Sequence, residues 1–103
     1  MRQRLPNRRQ CETLNIEVGG LHYTATFSRF EDGRVAEVFI QNSKPGSTSD
    51  SYMRDAAISG SLAFQYGCSL ETLRRALLRD PRGAPSTPLG AALDGVGDES
   101  PWQ

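Results

Sequence analysis

Alternation of apolar and polar residues in the first third of the chain constrains its fold more than any other feature. From Thr13 every second side chain is apolar, and the alternation resumes after Gly19-Gly20 and continues to Phe27. Period two with one apolar face is typical of a half-buried strand, and paired glycines allow the positive φ angles of a tight turn. The pattern therefore predicts a β-hairpin. Its predicted inward side chains are Leu14, Ile16, Val18, Leu21, Tyr23, Ala25 and Phe27.

A third strand is predicted from Arg34 to about Gln41. Its first face carries Ala36, Val38 and Ile40. Its second face is mixed, because Val35 and Phe39 flank Glu37 there. A strand that is partly apolar on both faces is expected either to lie in the centre of a sheet or to contact a partner.

Two helices are predicted after the strands. The first begins near Ser49-Asp50-Ser51, a run of good N-cap residues, and continues to about Tyr66, where Gly67 can end it. Only a narrow polar strip interrupts its apolar surface, so we expect this helix to pack on the sheet and to be covered again on another side. The strip consists of Arg54, Ser61 and Gln65.

The second helix is predicted from Ser69 to about Asp80-Pro81. After a proline-rich connection, residues 89–93 indicate a short apolar helical turn that docks back onto the domain. The predicted fold class is α+β: a three-stranded antiparallel meander packed against two helices on one face, with a short C-terminal helical turn. Residues 1–11 are predicted to be a basic extended arm, residues 12–94 the domain and residues 95–103 a loose acidic tail.

Size and charge limit the classes of function. The chain has 103 residues, with 12 basic and 12 acidic side chains, which suits one domain with one small core. A radical-generating reductase with substrate and cofactor sites would not fit, and balanced charge argues against a general nucleic-acid binder. No apolar run approaches the ~20 residues that span a bilayer, and no apolar signal region follows the N-terminal arginines. A cytoplasmic protein without membrane contact is expected.

The residues predict no catalytic, cofactor-binding or metal site. Cys11 and Cys68 are the only cysteines, and His22 is the only histidine. A redox shuttle needs two close thiols on a mobile tail, whereas these two lie far apart in the sequence. We interpret Cys68 as a small buried thiol at a helix junction and Cys11 as an incidental thiol in the arm. His22 falls on the polar face of the second strand, where a solvated side chain is expected.

Several polar residues are candidates for structural or interaction roles. Asp55 falls amid the apolar surface of the first helix, where a carboxylate needs a partner or a raised pKa. An ion pair with Arg8, Arg9 or Arg34 is the favoured interpretation, and a tuned acid is the alternative. The arginines of residues 2–9 can also hold phosphates, although no phosphate-binding glycine motif accompanies them. The full candidate set is Arg8, Arg9, Arg34, Glu37, Asp55 and Gln65.

Six short signatures follow one another between residues 2 and 94. They are Arg4-Leu5-Pro6-Asn7-Arg8-Arg9, Gly20-Leu21-His22-Tyr23-Thr24-Ala25-Thr26, Asp32-Gly33-Arg34-Val35-Ala36-Glu37-Val38-Phe39, Arg54-Asp55-Ala56-Ala57-Ile58, Ser61-Leu62-Ala63-Phe64-Gln65-Tyr66-Gly67 and Pro88-Leu89-Gly90-Ala91-Ala92-Leu93-Asp94. In this order they resemble the TSCPD domain, the C-terminal module of adenosylcobalamin-dependent (class II) ribonucleotide reductases, and especially its short stand-alone versions. The chain departs from the family at Gly67-Cys68-Ser69, where the Cys-Pro pairing that names the domain is replaced. No redox cysteine pair closes the chain.

The resemblance implies a role in ribonucleotide reduction, and thus in deoxyribonucleotide synthesis, in a bacterial or phage-like setting. We interpret the chain as a non-catalytic accessory or regulatory module that acts by protein contact, with a ribonucleotide reductase or with itself as a dimer. Adenosylcobalamin belongs to the related full-length enzymes, and we expect this chain to bind no cofactor. By resemblance it is a part or relative of ribonucleoside-diphosphate reductase, and no catalysis is predicted for it alone. The alternative is a small nucleotide- or nucleic-acid-binding regulator that uses the arginine arm.

Overall fold

The computed structural model describes residues 2–3, 11–42 and 48–99, and structural statements refer to these residues. Three antiparallel strands form one sheet in the order β1-β2-β3, and three helices follow them. The predicted α+β class and antiparallel meander are confirmed. The strands are β1 (Cys11–Val18), β2 (Leu21–Arg29) and β3 (Val35–Asn42), and the helices are α1 (Thr48–Gln65), α2 (Leu70–Ala76) and α3 (Pro88–Glu99).

The β1–β2 hairpin forms as the alternation predicts. The Gly19-Gly20 turn has φ angles of 61° and 79°, and Val18 pairs with Leu21 across it. Ala25 and Phe27 are fully buried on the inner face. Leu21, which we expected on that face, is exposed because it lies at the end of the hairpin, beyond the helices that cover the sheet.

Strand β3 is an edge strand rather than a central one, because β2 lies between it and β1. A register shift between Ser28 and Arg29 pairs Arg29 with Val35. Val35, expected on the outer face, is buried beside this bulge, consistent with the ability of bulges to redirect side chains. Phe39 remains half-exposed on the outer face, where the mixed pattern placed it.

The core lies between the inner face of the sheet and two helices. Helix α1 packs against β3 and helix α3 against β1, whereas α2 packs mainly against α3. The second helix on the sheet is therefore α3 and not α2, which corrects the expected arrangement. The buried cluster includes Ala25, Phe27, Val38, Met53, Ala57, Phe64, Leu89, Leu93 and Val96.

Helix α2 is shorter than expected, since it ends at Ala76 and Leu77 is already extended. The prediction placed its end near Asp80-Pro81. Asp80 instead organises a turn, because its carboxylate accepts hydrogen bonds from the backbone N–H groups of Arg82 and Ala84. Such local side-chain bonds, followed by a proline, compete with the helix.

Helix α3 is longer than the predicted apolar turn of residues 89–93. Thr87 caps it by accepting a hydrogen bond from the Gly90 N–H at 3.2 Å, and Pro88 occupies its first position, where a missing donor costs little. Residues 95–99 are helical rather than a loose tail, and Val96 is only 1% exposed. Core packing here overrides the weak helix propensity of glycine. Residues 100–103 lie outside the described residues.

Candidate interaction surface

Helix α1 turns polar residues toward the sheet. Ser61 and Gln65, two members of the predicted polar strip, are both buried. The Ser61 hydroxyl accepts a hydrogen bond from the Val38 N–H at 2.9 Å and donates one to the Val38 carbonyl at 3.1 Å. The Gln65 side-chain amide donates to the Ala36 carbonyl at 3.2 Å. Two members of the predicted polar strip therefore face inward, whereas the third, Arg54, is exposed.

The edge position of β3 explains why the Ser61 and Gln65 side chains face the sheet. An edge strand presents N–H and C=O groups that no other strand satisfies. A helix advances about 6 Å in four residues, nearly the distance that a strand covers in two. Ser61 and Gln65, four apart on α1, thus reach Val38 and Ala36, two apart on β3. The two side chains satisfy backbone groups that would otherwise be buried without partners.

The opposite side of α1 exposes large apolar side chains. Tyr52 is 72% exposed, Tyr66 64% and Ile58 55%, and Leu62 is partly exposed beside them. Phe39 of β3 meets Ile58 across a groove of about 270 Å³. We call this set the outer α1 surface; its members are Phe39, Tyr52, Ile58, Leu62 and Tyr66. Helix α1 is covered on a second side, where Leu73 and Leu89 lie against Gly60, but the five side chains of the outer α1 surface remain open to solvent.

Two charged residues accompany this surface. Arg54 Nε donates to the Asp50 carboxylate at 3.1 Å, and it lines the groove with Ile58. Asp55 lies amid apolar side chains, as expected, but it is exposed to solvent. The expectation that its carboxylate needs an ion-pair partner is therefore corrected.

Arg34, a proposed partner of Asp55, makes different contacts. Its Nε donates to the Asp32 carboxylate at 2.7 Å, and its guanidinium carbon lies 5.0 Å from the centre of the Phe30 ring. Hydrogen bonds from the backbone and side chain of Arg34 lower the pKa of Asp32. Arg34 therefore stabilises the turn before β3. The other proposed partners, Arg8 and Arg9, lie outside the described residues.

The first residues of the chain dock on the end of α1. Arg2 Nε donates to the Gln65 side-chain oxygen at 2.5 Å, and the Gln3 N–H donates to the Gln65 carbonyl at 2.7 Å. Arg34 also donates to the Gln3 side-chain oxygen at 2.9 Å. Gln65 therefore connects the N-terminal residues, α1 and β3. One arginine of the predicted arm is engaged within the molecule.

The remaining candidates are separate from one another. Glu37 is half-buried on the outer face of the sheet, opposite Ser28 in the strand register. Cys11 lies in β1 rather than in an arm, and its Sγ is 3.5 Å from the Ser28 hydroxyl. Cys68 is partly buried between α1 and α2, and neither cysteine forms a disulfide bond. His22 is exposed on β2, as predicted.

Two further findings concern the part of the chain that the structure describes. It holds no group of three or more His, Cys, Asp or Glu side chains placed to bind a metal ion. None of the helices between residues 48 and 99 has the length and hydropathy that a membrane crossing requires.

Sequence reasoning missed an ion-pair cluster centred on Asp94. Arg79 binds its carboxylate with both terminal nitrogens, at 2.7 and 2.8 Å, and Arg74 Nε donates to it at 2.9 Å. The hydrogen bonds from Arg79, followed by the positive charge of both arginines, lower the pKa of Asp94. The cluster ties α3 to α2 and to the turn after it. The only sequence signal was the position of Asp94 at the end of an apolar signature.

Comparison with known proteins gives one consistent result. A stretch of 70 residues, 68% of this chain, is 43% identical to part of the vitamin B12-dependent ribonucleotide reductase of Agrobacterium fabrum. The enzyme of the same name from Bradyrhizobium diazoefficiens is 36% identical over 70 residues, and that from Streptantibioticus cattleyicolor is 39% identical over 72. The chain spans only 6% of the first two relatives and 12% of the third. No protein-family model and no solved structure matches it.

Proposed function

We propose that this chain is a non-catalytic accessory module of ribonucleotide reduction, of the TSCPD type. It acts by binding a vitamin B12-dependent ribonucleotide reductase through the outer α1 surface. The observation that carries the proposal is this surface itself, an apolar helix face left open on a chain whose relatives are reductases. Adenosylcobalamin would belong to the partner enzyme.

The lengths of the relatives support a contact surface. A segment that makes up 6–12% of a much longer chain is expected to pack against the rest of that chain. We propose that the outer α1 surface corresponds to the face that makes this contact. Large exposed apolar patches of this kind often mark sites where another protein binds.

The size and composition of the surface fit a specific contact. Its five side chains expose roughly 600 Å² in total, at the upper end for a monomer and close to the ~800 Å² that one partner buries in a standard interface. Three of the five are aromatic, the residue class that contributes most binding energy at interfaces. Arg54 and Asp55 lie beside them and would contribute orientation more than affinity.

The contacts of the two thiols support a non-catalytic role. Cys11 Sγ approaches the Ser28 hydroxyl, and Cys68 Sγ donates to the Ser69 carbonyl at 3.5 Å. Each thiol thus has a neighbour other than the second thiol. Dithiol exchange requires two sulfurs that can reach each other, so this arrangement favours a structural role for both cysteines.

The direct test is titration of the purified chain into the purified vitamin B12-dependent ribonucleotide reductase of its source organism, followed by calorimetry. We expect a stoichiometric complex with a Kd in the micromolar range or tighter, since interfaces of this size span micromolar to picomolar affinity. Absence of such an enzyme from the organism, or absence of binding to it, would contradict the proposal.

The alternative function is tested in the same series. Single-stranded DNA and nucleoside triphosphates are titrated at 50 and 200 mM salt, because binding through arginine–phosphate contacts weakens steeply as salt rises. We expect weak binding or none, since Arg2 already donates to Gln65. Tight, salt-dependent binding without a reductase complex would replace the proposal with the alternative.

A further inference from the structure

Strand β1 forms the edge of the sheet opposite to β3, and solvent reaches it. Among the strands that the structure describes, only β2 lies beside it. Its residues are alternately exposed and half-buried along its whole length. At the other edge, the Ser61 and Gln65 side chains of α1 bind the backbone of β3. The two edges therefore differ, because a helix covers one, whereas solvent reaches the other.

The hydrogen bonds of Val38 show which way the backbone groups of each strand point. Its N–H and its carbonyl both bind the Ser61 hydroxyl, so they point away from β2. In an antiparallel ladder both groups of a residue point to the same side, and the side alternates from one residue to the next. Val38 lies opposite Phe27, so the N–H and the carbonyl of Phe27 point toward β1. They therefore bind Glu12, which lies opposite Phe27 on that strand.

The tight turn between β1 and β2 gives the same alternation. Val18 and Leu21 flank its two glycines, and a turn of this length is commonly closed by a hydrogen bond between its first and fourth residues. Val18 is separated from Glu12 by an even number of positions, so both bind β2. The residues between them whose N–H and carbonyl groups point away from β2, to the open edge, are Thr13, Asn15 and Glu17. All three are exposed.

The side chains of β1 are suited to a further strand. Leu14 and Ile16 pack against the core but are only half-buried, so apolar side chains on a neighbouring strand would complete their burial. The stretch from Thr13 to Ile16 carries no charge, and β1 pairs with β2 without a bulge. Lysine, proline and bulges commonly protect an edge strand from pairing, and β1 has none of these features.

The charges near this edge favour a basic partner. Glu12 is already bound by Arg29 Nε. Glu17 is exposed on the outer face, opposite His22 of β2. Opposite charges at facing positions of neighbouring strands attract each other. A lysine or arginine opposite Glu17 on a further strand would therefore stabilise the pairing.

Helix α3 favours a partner that brings a strand alone. It packs on β1, so closely that a side-chain carbon on Gly95 would lie 3.1 Å from Leu14 Cδ1. If two copies of the chain paired their β1 strands, both α3 helices would lie on the same side of the joined sheet. Neighbouring strands are about 4.8 Å apart, whereas packed helices need about 8–10 Å. An extended segment without a helix of its own avoids this conflict.

We propose that β1 binds an extended segment of a partner protein, which pairs antiparallel to it as a fourth strand. The segment places apolar side chains beside Leu14 and Ile16, polar side chains on the outer face, and a lysine or arginine opposite Glu17. Main-chain hydrogen bonds to the open edge supply affinity, and the alternate side chains supply specificity, as in other cases of strand addition. The inference does not depend on the reductase contact, which involves α1 and β3.

The test uses a synthetic peptide, acetyl-Val-Lys-Val-Thr-Val-Thr-Val-amide, whose lysine falls opposite Glu17 in the proposed register. Two further forms of the peptide carry three N-methyl groups each. In one form they are on the lysine and both threonines, whose N–H groups face β1. In the other they are on the last three valines, whose N–H groups face away. Each peptide is titrated into the ¹⁵N-labelled chain while amide shifts are followed.

We expect the unmethylated peptide to bind and to shift the amides of Thr13, Asn15 and Glu17. Methylation of the N–H groups that face β1 should weaken binding roughly tenfold or more, because each methyl group removes a donor to the edge. Methylation of the other N–H groups should have a much smaller effect. No binding of the unmethylated peptide, equal affinity of the two methylated forms, or shifts confined to other elements would overturn the proposal.

Two variants of the chain test the same edge. Asn15→Pro removes the central N–H donor, and proline is tolerated on an edge strand where that group faces solvent. We expect this variant to fold and to bind the unmethylated peptide roughly tenfold more weakly or worse. Asn15→Thr keeps the N–H and should bind as the original chain does. Equal affinity of the two folded variants would contradict the proposal, and if Asn15→Pro fails to fold, the two methylated peptides still decide the matter.

Discussion

At the residue scale, Ser61 is the side chain on which contact between α1 and the sheet depends most. Its hydroxyl binds both the N–H and the carbonyl of Val38, and all of these groups are buried. Satisfying one backbone donor and one acceptor with a single side chain fixes the position of the helix along the strand. It also prevents another strand from pairing with that part of the edge.

Ser61→Ala should lower the free energy of unfolding by about 2 kcal/mol, because the buried Val38 groups lose their partner. Ser59→Ala is the matched control on the exposed side of α1, and it should change stability by less than about 0.5 kcal/mol. Both substitutions share the same gain in helix propensity, so urea unfolding of the two variants isolates the hydrogen bonds. Equal stability of the two would contradict this role of Ser61.

Asp94 is the second residue with a large expected effect. In the folded chain, its two arginine partners hold the pKa of the Asp94 carboxyl below the ordinary value of 3.8. A carboxylate with a depressed folded pKa stabilises the protein above its unfolded pKa, and this stabilisation is lost as pH falls through the folded pKa.

Asp94→Asn should therefore cost about 1–2 kcal/mol at pH 7, the range of hydrogen bonds to charged groups at a partly exposed site. The difference in stability between the original chain and the variant should shrink as pH is lowered from 5 to 2. Urea unfolding across that range measures it, with Glu31→Gln in an exposed turn as control. A difference that stays constant with pH would show that the charge of Asp94 contributes nothing.

At the scale of elements, the spacing of apolar residues predicted the positions of the strands better than the ends and orientations of the helices. The hairpin follows directly from alternation and a Gly-Gly turn, because both depend on neighbouring residues. The orientation of α1 could not be predicted in this way. In the sequence, Ser61 and Gln65 are two residues of a polar strip. Nothing in that pattern shows that β3 is an edge strand whose backbone groups they bind. The contact between α1 and β3 decides which side of the helix is buried, and residues so far apart in the sequence leave no sign of it in the local pattern.

Residues 95–99 are a second case in which local sequence pattern did not predict the structure. Gly95 and Gly97 have weak helix propensity, so residues 95–99 read as a tail, yet Val96 is buried in the core of the domain. Gly97 is also constrained by space: a side-chain carbon there would lie 2.5 Å from Arg74 Nη1. A side chain at Gly97 would require the Arg74 guanidinium, the end of a flexible side chain, to move.

Val96→Asp should lower the free energy of unfolding by at least about 3 kcal/mol, because it buries a charge without a partner. Leu21→Asp places the same charge at a position that is 56% exposed and should be nearly neutral. Thermal unfolding of both variants, followed by circular dichroism, makes the comparison. If Val96→Asp were as stable as Leu21→Asp, residues 95–99 would not belong to the folded core.

At the scale of the whole molecule, the candidate surface was only partly predictable. The excess of apolar residues on α1 indicated that two of its sides would be buried against other parts of the structure. Which side remains open depends on the pairing of α1 with β3, so the five residues of the outer α1 surface could not be chosen from the sequence. Of the candidate residues, Gln65 contributes directly to that pairing, from the buried side of α1.

Two variants test whether the outer α1 surface binds the reductase. Ile58 and Leu21 are aliphatic and almost equally exposed, at 55% and 56%, but Leu21 belongs to the end of the hairpin and is not part of the outer α1 surface. Calorimetric titration of Ile58→Arg and Leu21→Arg against the vitamin B12-dependent ribonucleotide reductase compares a charge on the surface with the same charge elsewhere. We predict at least a tenfold rise in Kd for Ile58→Arg, equivalent to about 1.4 kcal/mol, with Leu21→Arg unchanged and both variants folded. Equal affinity of the two variants would contradict the account.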